Sequence, residues 1–460
     1  MTFTSSIFFI GFFPWLLAFI LCFGKKQPIF RRILICISNT IFYIWSGIGA
    51  FVFMCLYTIL VWLFSNILKR YKNKKIFSII IILTLLPLTF IKYINFIIVN
   101  INNIFNMPLN NISIIVPIGI SFFTFEAVSL IVDVYKGKIE NKLRLDDIYL
   151  YLSFFPTVTS GPIVRFNEFK KGIENNNYLV DYNRAFERIS VGLCKKVLIA
   201  DKIYVLVDYY FNGIAIGNRY SCLGLWTGSF AYSLQLYFDF SGYSDIAIGI
   251  GALLGFEIKE NFNKPYQASS ISDFWKRWHI SLTEWFRDYV YIPLGGNRCS
   301  ISRHLLNMLI VWFITGIWHG ADWSFVIWGL GYFVLLVMEK YVPMIKSITK
   351  SWWGHVYALF FVNFLWIPFR ANNMASAILY INGMFNFKNC TLSVEEKAVR
   401  FMPLLLVAAL LCLPWNKWFS IWLNKRWFKV IRSIILILLF LLCICAIINA
   451  SYAPYIYGNF

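Results

Sequence analysis

Two of the chain's four histidines sit among residues that suit chemistry. His279 lies in Trp275-Lys-Arg-Trp-His-Ile-Ser-Leu282, and forty residues later His319 lies in Thr315-Gly-Ile-Trp-His-Gly-Ala-Asp-Trp323. Imidazole titrates near neutral pH and can take a proton from a hydroxyl, so either ring is a candidate general base. His319 closes the apolar run Leu305–Trp318. An ionisable group at membrane depth is costly and is a functional candidate by default. The plainer reading is a buried neutral imidazole bonded to a backbone carbonyl, and residue chemistry alone leaves both open.

A second polar cluster, Tyr237-Phe-Asp-Phe-Ser-Gly-Tyr-Ser-Asp245, interrupts another apolar stretch. Asp239 and Asp245 suit an ion-coupling site, a polar gate or interhelix hydrogen bonding. On a continuous helix they point about 240° apart, which favours structural bonding around Ser241 and Gly242 over a paired acid and base. Lys264, Arg277, Arg287 and Arg298 can meet the phosphates of a nucleotide-containing donor, since cations suit phosphate. Each equally suits an ordinary surface charge.

These residues need elements to hold them. Trp275, Trp278, His279, Leu282, Trp285 and Phe286 follow helical spacing and predict one amphipathic helix, with Ser272 as N-cap and tryptophan anchors at a membrane surface. The chain is 59% hydrophobic, 20% aromatic and 14% charged, which excludes a soluble globular protein. A bilayer crossing takes about 20 apolar residues. Matching runs include Phe3–Phe23, Ile33–Leu68, Ile76–Ile98, Ser113–Val132, Ser221–Phe238, Ser324–Met338, Trp352–Phe369, Phe401–Trp415 and Ser433–Ala450. Phe3–Phe23 lacks a basic flank and a small-residue cleavage site, so it reads as a helix rather than a secretion signal.

No connection is long enough for a soluble domain, so residues 1–460 read as one membrane domain. It comprises N-terminal helices to 135, a core with re-entrant and histidine segments over 136–330, and C-terminal helices with an aromatic tail over 331–460. The net charge of +20 comes in short basic clusters between apolar runs. That is the positive-inside pattern, with a role in holding anionic lipid headgroups, rather than nucleic-acid binding. Ten scattered cysteines with no Cys-x-x-Cys or histidine-rich pattern support neither a metal site nor a disulfide framework.

Charge parity then sets a topology. Basic clusters at 25–32 and 69–75 flank 36 uncharged residues, enough for two crossings with a turn near Ser46-Gly47 and an external N-terminus. The charge-free, asparagine-rich Asn100–Asn111 falls outside. Tyr149–Val164, with Pro156, Gly161 and Pro162, reads as a re-entrant hairpin, a kinked crossing being the alternative. No charge follows Arg432, which leaves the C-terminus outside. The expected total is about 12 crossings of an all-α polytopic integral membrane protein.

Several segments together resemble the membrane-bound O-acyltransferase (MBOAT) family, and within it the alginate O-acetyltransferase branch. They are Pro117-Ile-Gly-Ile-Ser-Phe-Phe-Thr124, Ser160-Gly-Pro-Ile-Val-Arg-Phe166, Tyr237–Asp245, Asn261-Phe-Asn-Lys-Pro-Tyr266, Asp273–Leu282, Tyr291-Ile-Pro-Leu-Gly-Gly-Asn-Arg298, Trp318-His-Gly320 and Phe369-Arg-Ala371. The resemblance implies a helical bundle with a central funnel or tunnel in a bacterial plasma membrane. In it His319 would be the catalytic residue at the narrow part, and His279 a supporting residue on a path lined by Trp275, Trp278 and Trp318. It implies cytoplasmic acetyl-CoA as donor substrate, no bound cofactor, and a separate extracytoplasmic transferase that passes the acetyl group to a surface polysaccharide. The ending Tyr455-Ile-Tyr-Gly-Asn-Phe460 resembles the aromatic tail of this branch, which makes Tyr457 a candidate acyl relay; an interfacial aromatic residue is the alternative. The rival within the family is a D-alanyl transferase acting on teichoic acid. Outside it, the rivals are a solute or ion transporter using Asp239 and Asp245 and a non-catalytic membrane scaffold.

Overall fold

In the computed structural model every regular element among the described residues is a helix. The structure describes residues 3, 5–23, 28–139, 142–175, 180–386, 394–415 and 425–449. The helices are α1 (Phe13–Phe23), α2 (Pro28–Ser46), α3 (Ile48–Arg70), α4 (Lys74–Phe105), α5 (Ile120–Tyr135), α6 (Leu145–Leu152), α7 (Phe166–Glu174), α8 (Tyr182–Leu193), α9 (Asp201–Ala215) and α10 (Cys222–Leu254). They continue with α11 (Ile271–Arg277), α12 (Ile280–Phe286), α13 (Ile301–His319), α14 (Trp323–Tyr341), α15 (Pro343–Ile348), α16 (Trp353–Arg370), α17 (Met374–Met384), α18 (Glu396–Leu411) and α19 (Arg426–Asn449). Hydrocarbon offers no partner to backbone N–H and C=O, so a chain this apolar closes its hydrogen bonds inside helices.

Among the described residues, six helices are long and apolar enough to cross a bilayer by length and composition: α2, α3, α4, α13, α14 and α19. Their outward faces carry apolar side chains such as Leu56, Ile82 and Leu438 with more than half their area exposed, as lipid-facing surface requires. The protein is a multi-pass membrane protein. The expectation of about 12 crossings also takes in shorter or more polar apolar runs, among them those that form α5, α10 and α18. At about 1.5 Å per residue, α5 and α18 are short for a core about 30 Å thick, and α10 carries two buried aspartates, Asp239 and Asp245.

The chain divides into two compact units. Within the described residues, one draws on Met1–Ile189, Tyr243–Lys259 and Ile447–Phe460, and the other on Ser190–Gly242 and Glu260–Ala446.

In the first unit, α2 and α3 meet at Gly47, whose φ of +127° lies where side-chain-bearing residues rarely go, at the turn expected near Ser46-Gly47. The asparagine-rich connection after α4 is bonded back onto that helix. Asn95 exchanges two hydrogen bonds with the Ile112 backbone (2.9 and 2.8 Å), and Asn102 does the same with Leu109 (2.8 and 3.0 Å). Over Tyr149–Val164 the backbone is broken, as expected. Helix α6 stops at Leu152, and buried turns follow, held by Asn39, which bonds Leu150, Ser153 and Phe155. Eight residues rise only about 12 Å, so α6 by itself is short for a core about 30 Å thick.

In the second unit, α13 and α14 form an antiparallel hairpin with His319 at its apex. The helices approach at two glycines: a Cβ on Gly329 would stand 2.4 Å from the Trp312 carbonyl, and one on Gly316 would stand 2.6 Å from the Phe325 carbonyl. Neither gap admits a methyl group without moving backbone. Gly329→Ala is expected to lower stability by about 1–3 kcal/mol, as overpacked cores do. Gly49→Ala, where a Cβ meets nothing within 4 Å, serves as control. Thermal unfolding in detergent reads the contrast.

Candidate active site

The tryptophan-rich stretch expected to form one helix forms two, and the break falls at the histidine. Helix α11 ends where the Trp278 amide donates to the Phe274 carbonyl at 2.8 Å; Trp278 is extended, and His279 turns left-handed at φ +44° and ψ +55°. Helix α12 then starts on the His279 carbonyl, which accepts from Leu282 and Thr283. The spacing is helical, but the backbone obeys a competing set of bonds. Asn261 Oδ1 accepts from the Ser281 amide (3.2 Å) and hydroxyl (2.9 Å), while its carbonyl accepts from the Ile280 amide (3.0 Å). A left-handed non-glycine residue costs of order 1–3 kcal/mol and persists only where surroundings over-determine it. The N-cap also differs from expectation. Ser270 caps α11, its Oγ accepting from the Asp273 amide at 2.9 Å, and the Ser272 amide instead donates to Glu339.

Asn261 sets the state of the imidazole as well. Its Oδ1 takes the Ser281 amide proton and is therefore the oxygen, so the His279 Nδ1, 3.2 Å away, must be the protonated nitrogen. His279 is buried, with the ring of Phe240 set edge-on at 4.6 Å. Burial pushes its pKa from 6.5 down to about 3, so the ring is neutral at physiological pH and Nε2 carries the lone pair.

His319 is the last residue of α13 and is buried among rings: Trp318 at 4.7 Å, Trp328 at 4.8 Å and Phe369 at 5.1 Å between centroids. The structure brings the two histidine segments together. Trp318 lies 6.4 Å from His279 and adjoins His319, so one indole ring links both imidazoles. Trp275 and Trp278 are buried rather than interfacial anchors. Trp275 packs on Trp312 and Tyr332, each at 4.9 Å, and Trp278 packs on Phe262 at 5.1 Å and Trp366 at 5.2 Å. Rings packed this closely leave little room for water and give a low-dielectric setting in which a dipole or charge acts strongly.

The other sequence candidates are placed apart from the imidazoles or engaged elsewhere. Asp239 is buried against Lys196 Nζ at 2.6 Å, and the same ammonium reaches Asp201 at 2.7 Å. Asp245 belongs to the first unit, where it pairs with Arg188 at 2.8 Å. Lys264 is half-buried and left-handed, Arg277 pairs with Asp273 at 3.0 Å, and both Arg287 and Arg298 are exposed. Tyr457 lies outside the described residues. Among the described residues, no group of His, Cys, Asp and Glu is arranged to hold a metal ion.

Sequence reasoning missed four residues. Lys196 sits in a π-helical turn, Cys194–Ala200, and its pairing to Asp239 has no local signature. Asn261 was legible only as part of a loop motif. Glu339 follows directly on an apolar run and has no motif around it. Tyr332 is fully buried on α14 within a box of tryptophans. Its hydroxyl, like the indole N–H groups of Trp275 and Trp328, makes no hydrogen bond among the described residues. The remaining two histidines are bonded to other groups. His304 bonds Tyr291 and Tyr341, each at 2.8 Å, and His355 donates to the Ala268 carbonyl at 3.2 Å.

With this geometry in place, comparison with known proteins decides the family. The profile of the MBOAT, membrane-bound O-acyltransferase family, matches residues 138–380, which includes both histidines. The chain belongs to that family. It is therefore a membrane-bound O-acyltransferase. Among its relatives, the probable alginate O-acetylase AlgI of Pseudomonas putida is 32% identical over the whole of both chains. The peptidoglycan O-acetyltransferase of Helicobacter pylori is 33% identical over 87% of this chain and 83% of its own. The teichoic acid D-alanyltransferase of Bacillus subtilis is 31% identical over 55% of this chain and 66% of its own.

The pKa of His279 makes a stability prediction. The folded chain refuses a proton that the unfolded chain binds below pH 6.5, so this contribution is complete above pH 6.5 and is lost as pH falls toward 3. The unfolding temperature should drop across that window, and His279→Gln should flatten the drop. An equal slope in both proteins counts against the buried neutral ring.

Proposed function

We propose that this O-acyltransferase carries an acetyl group from cytoplasmic acetyl-CoA across the plasma membrane to O-acetylate a cell-surface polysaccharide, in concert with a separate extracytoplasmic transferase. The observation that carries the reading is the meeting of two buried imidazoles across Trp318, which a chain built only as scaffold would not need. His319 acts as general base toward the acceptor hydroxyl. Oxygen attacks the thioester carbonyl, the C–S bond breaks, and the thiolate leaving group takes up the proton from the imidazole. The neutral His279 lines the same path, orienting the donor or acceptor rather than supplying a proton.

An oxyanion forms on the acetyl carbonyl as oxygen attacks, and hydrogen-bond donors in a dry site stabilise it. The Tyr332 hydroxyl and the Trp328 indole N–H are the donors we assign to the acyl donor's carbonyl groups, since both are buried without a partner among the described residues. The extended aromatic wall suits the passage of an apolar acyl arm. The relatives named for O-acetylation cover more of both chains than the D-alanyl transferase does, which favours an acetyl over an aminoacyl cargo. Within this reading the basic clusters face the cytoplasm, both termini lie outside, and Tyr457 receives the acetyl group as a transient phenolic ester.

Labelled acetyl-CoA supplied to the purified chain should be hydrolysed or transferred, and His319→Ala should cut turnover at least 100-fold, roughly the lower range for loss of general-base catalysis. Turnover unchanged in that variant contradicts the mechanism. Tyr457→Phe should abolish acetylation of the surface polymer in cells while leaving hydrolysis of acetyl-CoA by the purified protein intact. Normal polymer acetylation in that strain removes the relay.

A further inference from the structure

Helix α14 carries a carboxylate, Glu339, that is 8% exposed and lies about 24 Å along the helix axis from its start beside His319. Both carboxylate oxygens are engaged by backbone: Oε1 accepts from the Ile271 amide, and Oε2 accepts from the Ser272 amide at 2.9 Å. These are the first two residues of α11, the helix whose end turns into His279.

Capping alone does not account for this bond. Ser270 already caps α11 through the Asp273 amide, and local side chains commonly serve the other N–H groups of a first turn. A charged group on an apolar helix is expensive. What a carboxylate 67 residues further along the chain provides, and a local cap cannot, is register. Its two oxygens fix both the height and the rotation of α11 against α14. The same pair of helices meets again halfway along, where Trp275 lies 4.9 Å from Tyr332 and 5.8 Å from Trp328. At the apex a different helix closes the path: Trp318 of α13 faces His279, just beyond the end of α11, at 6.4 Å. A seven-residue helix is too short to hold its own position. Neighbouring backbone also helps to seat it: the Ser269 carbonyl would stand 2.4 Å from a Cβ on Gly354, and His355 donates to Ala268.

We infer that Glu339 is a positioning residue for acyl transfer. It locks α11 in register on α14 and thereby sets the separation of His279 from His319. The inference rests on the reading of both histidines as the active site. Geometry shifted by about 1 Å can cost of order 100-fold in rate, so a lost register shows in kcat before it shows in binding.

The test uses the purified full-length chain in detergent with labelled acetyl-CoA, comparing Glu339→Gln, Glu339→Asp and His319→Ala with the unaltered protein. Glu339→Gln keeps the shape but places an amide N–H against a backbone N–H. Glu339→Asp keeps the charge and withdraws it by one methylene. The expected result is a kcat per folded molecule lowered about tenfold or more in Glu339→Gln, with KM for acetyl-CoA within about twofold. Glu339→Asp should fall between that variant and the unaltered protein. If Glu339→Gln does not fold, Glu339→Asp carries the test, and a lower kcat at unchanged KM supports the inference. An unchanged kcat per folded molecule, whatever happens to the unfolding temperature, overturns it, because a purely structural strut moves stability alone. Intact turnover in His319→Ala would instead sink the active-site reading itself.

Discussion

The hairpin of α13 and α14 depends on a contact between backbones. At Gly316 and Gly329 the two helices come closer than any side chain allows, and that approach places the last residue of one helix and the first of the next at a fixed apex. His319 stands at that apex. Because the helices are in contact rather than separated by side chains, the backbone that carries the imidazole cannot shift without parting the two helices. The rest of the second unit is built outward from this seam: tryptophans of α13 and α14 form a wall, α11 lies on the wall, and His279 projects from the end of α11.

Charge placement follows the same logic. A low-dielectric interior accepts ions only when they are paired or bonded, and these two buried charges each join elements distant in sequence. Lys196 joins a π-helical turn to α10 through Asp239, and Glu339 joins α14 to α11. Apolar packing alone lets helices slide and rotate with small penalties, whereas a bonded ion in hydrocarbon has one good partner. The buried ions therefore select one register among many similarly apolar arrangements.

Much of this was legible in the sequence, and the remainder was hidden for identifiable reasons. Apolar runs revealed the long helices, Gly47 marked the first turn, and Pro156 with Gly161 marked broken backbone. Tryptophans flanking two histidines marked the candidate site. The helix break at Trp278 was not legible, because helical spacing continues through it. The interruption is imposed by Asn261, eighteen residues before His279, through bonds that form only once the chain has folded. Asp239 and Asp245 looked like one polar cluster because they are near in sequence, yet their helical phase sends them to different cations. Glu339 and Tyr332 carried no motif. Their roles come from what surrounds them, and periodicity does not report surroundings.

The left-handed backbone at His279 has an evolutionary consequence. Glycine occupies that conformation without strain, yet it would forfeit the bond to Asn261 and the packing on Phe240. The imidazole is held there by those contacts against the preference of the backbone. Glycine at this position in a descendant would therefore keep a turn that the backbone favours while the ring, its bond and its packing are gone.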